Sequence, residues 1–251
     1  MRVSLFVTCL VGELDGTTGI AAARLLRGLG VDVVVPPGQT CCGQPAYNAG
    51  HDSEARRIAA HTLAVLESTD AVVLPSGSCA TMIRHHYTRL FGVAASEAGV
   101  EGEMQARARA LASRTFELSE FIVRVLTRTK LGDGLRGRRV AWHHGCHALR
   151  ELGSGDAPIE LLRNAGATIV EWEAAEECCG FGGLFSVKLP EVSASMADRK
   201  LDTLVPLRPD VLTSADTGCL LHLEGRMRRR GFAIMTRHVA HLLLEAAGGR
   251  A

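Results

Sequence analysis

The chain has 251 residues, 47% of them apolar, with 28 basic and 27 acidic side chains and a formal net charge of +1. This composition excludes a disordered or fibrous chain. It also lacks the basic excess that would neutralise phosphates, so nucleic acid is not expected as a partner.

Residues 3–7 read as a short buried strand that runs to Cys9. The apolar start faintly resembles a signal peptide, but it has no small-residue cleavage site and runs into Glu13 and Asp15. No apolar stretch reaches the ~20 residues of a membrane span, so the expectation is a cytoplasmic protein without a transmembrane segment. A helical pattern covers 19–29, and a strand at 31–35 leads into Cys41-Cys42-Gly43. A second helix is predicted over 53–66, with Ile58, Thr62, Val65 and Leu66 on one side. The strand 71–74 then runs to Cys79. Leu118, Phe121, Ile122, Val125 and Leu126 have the spacing of a helix face. The segment 129–138, rich in glycine and charge, forms a natural boundary. Beyond it come a strand at 139–143 before Cys146 and a strand at 168–172 before Cys178-Cys179-Gly180. A helix opened by Pro190, a strand at 211–213 before Cys219 and a last helix from about 236 to 247 complete the chain.

The eight cysteines are duplicated. Cys9 and Cys146, Cys41 and Cys178, and Cys42 and Cys179 are each 137 residues apart, and Cys79 and Cys219 are 140 apart. The flanks repeat as well: RVSLFVTC with RVAWHHGC, LLRGLGVDVV with LLRNAGATIV, and DAVVLPSGSC with DVLTSADTGC. Strands alternating with helices imply parallel sheets. The expected fold is therefore α/β, with two tandem, pseudo-symmetric lobes, 1–132 and 133–251. Ligands of such sheets collect at the carboxyl ends of the strands, where all eight cysteines fall.

Four convergent thiolates suit zinc, copper(I) or an iron–sulfur cluster. Structural zinc sites use C-x₂₋₄-C knuckles, which are absent, and the side chains of adjacent cysteines diverge. A multi-iron cluster accommodates that divergence, because neighbouring thiolates reach different metal atoms. Gly43, Gly180, Gly182 and Gly183 permit positive φ and close approach of N–H groups to sulfur. A single buried cysteine would read as a small hydrophobe, and a vicinal disulfide at Cys41–Cys42 or Cys178–Cys179 is the other alternative. His143, His144 and His147 surround Cys146, but their first-half counterparts are Phe6, Val7 and Leu10. They read as strand-capping or solvent-facing residues, with cluster tuning or partner docking as the alternative. His85, His86 and His222 lie beyond the last cysteine of each half. Lys188 is either a surface lysine or a positive charge near the second site. Ser76 and Asp216 are potential oxygen ligands or hydrogen-bonding groups, and the basic run Arg226, Arg228, Arg229 and Arg230 reads as a solvated face. Walker A, G-x-S-x-G and bacterial-ferredoxin motifs are absent.

The motifs CCGQPAYNAG and CCGFGGLFSVK, with VTCL, SGSC, HHGCHALR and DTGC around them, resemble the cysteine-rich CCG-domain family over essentially the whole chain. That domain pair occurs in the iron–sulfur subunit of glycolate oxidase, in an anaerobic glycerol-3-phosphate dehydrogenase and in heterodisulfide reductase. The resemblance is specifically to members that serve a three-protein lactate oxidation system. The resemblance implies one or two [4Fe–4S] clusters held by Cys9, Cys41, Cys42 and Cys79 and by Cys146, Cys178, Cys179 and Cys219. It further implies a non-catalytic electron-transfer subunit of a complex oxidising L-lactate or a related 2-hydroxy acid. Its partners would be the other subunits, among them another iron–sulfur protein. The fuller family pattern ends each half in C-x-x-C, whereas Ser76 and Asp216 stand here at the first of those cysteines. A thiol–disulfide (heterodisulfide-type) reductase subunit and a non-redox zinc-binding docking subunit are the alternatives.

Overall fold

Short β-branched runs alternating with amphipathic stretches produce one α/β unit twice. The computed structural model describes residues 1–66, 68–96, 102–153 and 155–249. In the first sheet β1 (Arg2–Leu5) lies between β2 (Asp32–Val34) and β3 (Ala71–Leu74), with β4 (Thr115–Glu117) beyond β3. The second sheet repeats that order with β5 (Arg139–Trp142) between β6 (Thr168–Val170) and β7 (Val211–Ser214), and β8 (Met235–His238) at the edge. Every pairing is parallel, and the registers correspond. Val3 stands opposite Val33 and Ala71, as Val140 stands opposite Ile169 and Val211.

The connecting helices of the first half are α1 (Cys9–Leu14), α2 (Gly16–Gly28), α3 (Gln44–Asn48), α4 (Asp52–Val65), α5 (Gly77–Thr81), α6 (Tyr87–Ser96), α7 (Glu103–Ala112) and α8 (Leu118–Glu120). A π-helical turn, Met82–His86, joins α5 to α6, and another, Phe121–Val125, extends α8. The second half has α9 (Asp156–Asn164), α10 (Leu184–Lys188), α11 (Pro190–Leu204), α12 (Thr217–Arg229) and α13 (Val239–Ala246). Pro190 opens α11, where its missing N–H costs nothing.

Period-2 alternation divides each strand between two cores. Val3, Leu5, Val73, Val140, Trp142 and Val211 face a core that both halves share, with Leu25 and Leu26 of α2, Leu118, and Leu242 and Leu243 of α13. The opposite faces look outward. Phe6, Val72 and Leu74 pack with α4 and α6 in one cluster, and Ala141 and Leu212 pack with α11 and α12 in another. The cysteines sit at the upper rim of these outer cores.

Two predicted features are corrected. The last helix begins at Val239, because Met235–His238 forms β8, and β4 was not anticipated. Among the described residues both are edge strands paired on one side only, so neither carries the continuous apolar run of a central parallel strand. The arginine run is also more than a solvated face: Arg226 and Arg230 pair with Asp198 and Asp202 of α11 at 2.6 Å. Among the described residues no helix is long and apolar enough to cross a membrane.

Candidate metal centre

The carboxyl end of each sheet delivers its cysteines to one place. Cys9 opens α1 and Cys79 lies in α5, while Cys146 follows β5 and Cys219 lies in α12. The vicinal pairs occupy the loops after β2 and β6. All eight line a single cleft of about 380 Å³, together with Ser76, Ser78, Phe181 and Asp216. The two quartets are therefore neighbours on one cavity.

Within each quartet the adjacent cysteines share a side-chain hydrogen bond, and each also reaches a different further partner. Cys9 Sγ lies 3.6 Å from Cys41 Sγ, and Cys42 Sγ lies 3.1 Å from Cys79 Sγ. In the second half Cys178 pairs with Cys146, and Cys179 with Cys219. The Gly43 N–H donates to Cys41 sulfur at 3.3 Å; the Gly180 and Phe181 N–H groups donate to Cys178 and Cys179 at 3.4 Å. Hydrogen bonds from Cys42 and then Cys9 pull the Cys41 thiol down to about 3. Those from Cys146 and Cys179 pull Cys178 down to about 2. The donating thiols Cys9, Cys42, Cys146 and Cys179 move up, because each gives its proton to a neighbour and is desolvated. One thiolate per quartet is thus ready for a cation. Its charge is held by N–H dipoles, and binding a metal releases the remaining protons. The donor set fits a soft metal centre.

The loops are built for close approach. Gly43 and Gly180 take φ of +88° and +87°, and a Cβ at Gly180 would lie 2.5 Å from the Ser193 carbonyl oxygen, so glycine is required there. The backbone atoms leaving β1 and β5 are satisfied differently. Gln39 accepts from the Val7 N–H and donates to the Leu5 carbonyl at 2.7 and 2.9 Å. At the corresponding atoms the Ala175 carbonyl accepts from the His144 N–H at 3.1 Å, and the Trp172 indole donates to the Trp142 carbonyl at 3.0 Å. The Tyr87 hydroxyl donates to the Cys42 carbonyl at 2.8 Å. In the second half that tethering falls to Lys200, whose fully buried ammonium donates to the carbonyls of Ala174, Ala175 and Glu177 and lies 4.3 Å from the centre of the Trp172 ring. Burial lowers its pKa to about 8, with Cys179 and Cys219 acting against the shift.

Ser76 and Asp216 meet across the cleft. The Asp216 carboxylate accepts from the Ser76 hydroxyl at 3.1 Å and from the Ser78 N–H and hydroxyl at 3.0 and 2.7 Å. It serves the first turn of the other half's α5 rather than of its own α12, where it makes no side-chain cap. Gly145 leaves room for this carboxylate, since a Cβ there would lie 2.2 Å from Asp216 Oδ2.

His143 departs from its expected place. It is fully buried, and one ring nitrogen lies with the sulfurs of Cys179 and Cys219 in a group whose members are all within 4.8 Å of one another. Burial and the nearby Lys200 push its pKa down to about 3. Among the described residues neither ring nitrogen has a hydrogen-bond partner; the Ala175 carbonyl favours the charged ring without reaching bonding geometry. His144 is half-buried against the Trp142 ring, His147 lines the cleft, and His222 contacts Ser193 at 3.1 Å. His86 pairs with Glu151 at 3.0 Å, while His85 and Lys188 are exposed. Sequence reasoning passed over Lys200. Its one signal was a lysine at helical spacing with the apolar positions Ala197, Leu201 and Leu204 of α11.

Comparison with known proteins agrees with this layout. The cysteine-rich domain model CCG matches residues 3–84 and 140–224, one copy in each half. Lactate utilization protein A of Geobacillus sp. (strain WCH70) is 43% identical over 97% of this chain and 99% of its own length. The protein of that name from Macrococcus caseolyticus (strain JCSC5402) is also 43% identical, over 97% of this chain and 96% of its own. A crystal structure of a hypothetical protein from Helicobacter pylori superposes on the whole chain with a TM-score of 0.66 at 11% identity. The chain spans 49% of that structure's length, and the likeness is one of fold.

Proposed function

The chain belongs to the cysteine-rich CCG-domain family, and from that premise we propose that it is an iron–sulfur electron-transfer subunit of a cytoplasmic system that oxidises L-lactate or a related 2-hydroxy acid. The relatives named for lactate utilization match it over nearly their whole length, which supports the choice of system. The observation that carries the electron-transfer reading is the doubled quartet on one cleft, with backbone N–H groups directed at its sulfurs. Cys9, Cys41, Cys42 and Cys79 would hold one centre and Cys146, Cys178, Cys179 and Cys219 the other, in units 1–132 and 133–251. Such a centre supplies one-electron chemistry at a potential set by hydrogen bonds to sulfur and by burial. The protein's own contribution is a pre-paired thiol set, a thiolate in each half held by N–H donors, and outer cores that keep water from Cys42 and Cys179, each 1% exposed. Substrate oxidation takes place on a partner subunit, and a second iron–sulfur protein passes electrons to or from this one.

The test is iron and acid-labile sulfide after anaerobic purification. About four or about eight of each per chain are expected, for one or two four-iron clusters. Cys42→Ser removes the first centre, Cys179→Ser the second, and the double variant both. Retention of full iron and sulfide by the double variant overturns the assignment.

One observation favours a second reading. A shared cleft of about 380 Å³ is of the size that holds a small ligand, which suits a disulfide substrate taking up two electrons and two protons to give two thiols. Turnover of a disulfide by the isolated reduced protein would establish it.

A further inference from the structure

We propose that His143 is a metal ligand of the second centre, so that the duplicated sites are chemically unequal: thiolate alone in the first half, thiolate with imidazole in the second. The proposal rests on the metal-binding reading above and adds a donor that the cysteine pattern does not contain.

The backbone fixes where this side chain lies. Phe6 and His143 each follow the central strand of their sheet, and each donates its N–H to the neighbouring strand, to Val73 at 2.9 Å and to Thr213 at 2.8 Å. Both side chains are directed into the outer core beneath their cysteines. Phe6 packs there with Cys42 and Cys79 and has nothing to offer a metal. His143 occupies the equivalent place and brings a ring nitrogen within 4.8 Å of both Cys179 and Cys219 sulfurs.

Its burial needs a reason. A buried polar atom without a partner is costly, and among the described residues neither ring nitrogen of His143 has one. A phenylalanine at the same position satisfies the fold in the first half, so packing does not call for an imidazole. A metal bound by Cys179 and Cys219 does, because the nitrogen lone pair then has an acceptor beside the two thiolates. Imidazole adds a donor to the second centre without adding charge, so the two centres differ in ligand number and in reduction potential.

The experiment is pulsed EPR on the anaerobically purified, half-reduced full chain, at natural abundance and with ¹⁵N-labelled histidine. The expected result is a directly coordinated nitrogen whose coupling changes with the label and disappears in His143→Phe, the residue of the first half. In that variant one of two reduction potentials shifts and the other stays. His147→Ala and His222→Ala should keep the coupling, which assigns it without relying on how well the His143 variant folds. A wild-type protein with full iron and sulfide but no histidine coupling overturns the proposal and leaves the electron-transfer reading intact. If the metal proves to be zinc, the electron-transfer reading fails instead. The ligand is then read from the cobalt(II)-substituted chain, where His143→Phe must shift the ligand-field absorption and an unchanged spectrum overturns it.

Discussion

The two halves share a backbone and differ in how they support their cysteine loops. In both, the strand order, the thiol pairing and the positive-φ glycine after the cysteine pair are the same. Ala55, Ala59, Thr62 and Leu63 on the inner face of α4 answer in order to Ser193, Ala197, Lys200 and Leu201 on α11. At the variable positions the first half uses neutral groups, Phe6, Gln39, Thr62 and Tyr87, where the second buries His143 and Lys200. A duplicated fold must conserve what shapes its backbone, whereas the groups that satisfy leftover carbonyls are interchangeable provided each carbonyl finds a donor. The second half met that demand with a buried cation, and its loop should be correspondingly more sensitive.

The largest expected contrast follows from that lysine. Lys200→Met strips the donor from three carbonyls, and a loss of about 2–4 kcal/mol is expected, read by urea unfolding of the reduced, metal-free chain. Thr62→Val at the matching position, where a single neutral hydroxyl stands in place of the ammonium, should change stability by less than about 1 kcal/mol. Equal effects would erase the distinction between the two loops.

The contact across the cleft should give an intermediate effect. Asp216→Ala leaves the Ser76 and Ser78 donors without their acceptor and should cost about 1.5–3 kcal/mol, as for hydrogen bonds to a charged group. Ser76→Ala, its first-half counterpart, loses the bond to Asp216 and the cap on the Cys79 N–H, for about 1 kcal/mol. The ranking Asp216 above Ser76 is checked by thermal unfolding of both variants.

The smallest contrast is one of sign. Glu117 and His238 end β4 and β8 at equivalent places, and each caps the helix that follows. Burial raises Glu117 to about 8, with Glu120 and Asp216 adding to the shift and the N–H groups of Glu120 and Ser119 opposing it. Its folded pKa exceeds the unfolded one, so its contribution is full below about 4.5 and is lost as pH rises through about 8. Burial lowers His238, against the Ala215 carbonyl, Asp15 and Asp216 and with His241. Its contribution is present above the ordinary imidazole value and is lost as pH falls through the depressed one. Glu117→Gln should flatten the alkaline side of the Tm–pH curve and His238→Gln the acid side. A variant that flattens the opposite side would refute the assignment.

Much of this was legible in the residues. The offsets between cysteines announced two copies of one unit, and the apolar runs marked the central strands, because a strand buried on both faces has a continuous hydrophobic signature. The edge strands β4 and β8 were not, since pairing on one side leaves their composition free. His143 was misplaced for a related reason: a histidine at the end of a strand reads as polar, and only the register of β5 against β7 turns its ring inward.

By itself, the sequence determined the duplication, the parallel α/β class and the identity of the eight thiols, because each is written in spacing and periodicity along the chain. Only the tertiary structure decided that both quartets open on one cleft, that Asp216 serves the opposite half, and that an imidazole and an ammonium lie beneath the second quartet. Those are relations between residues far apart in sequence, and they exist only once two sheets pack on a common core and desolvate what lies at its rim.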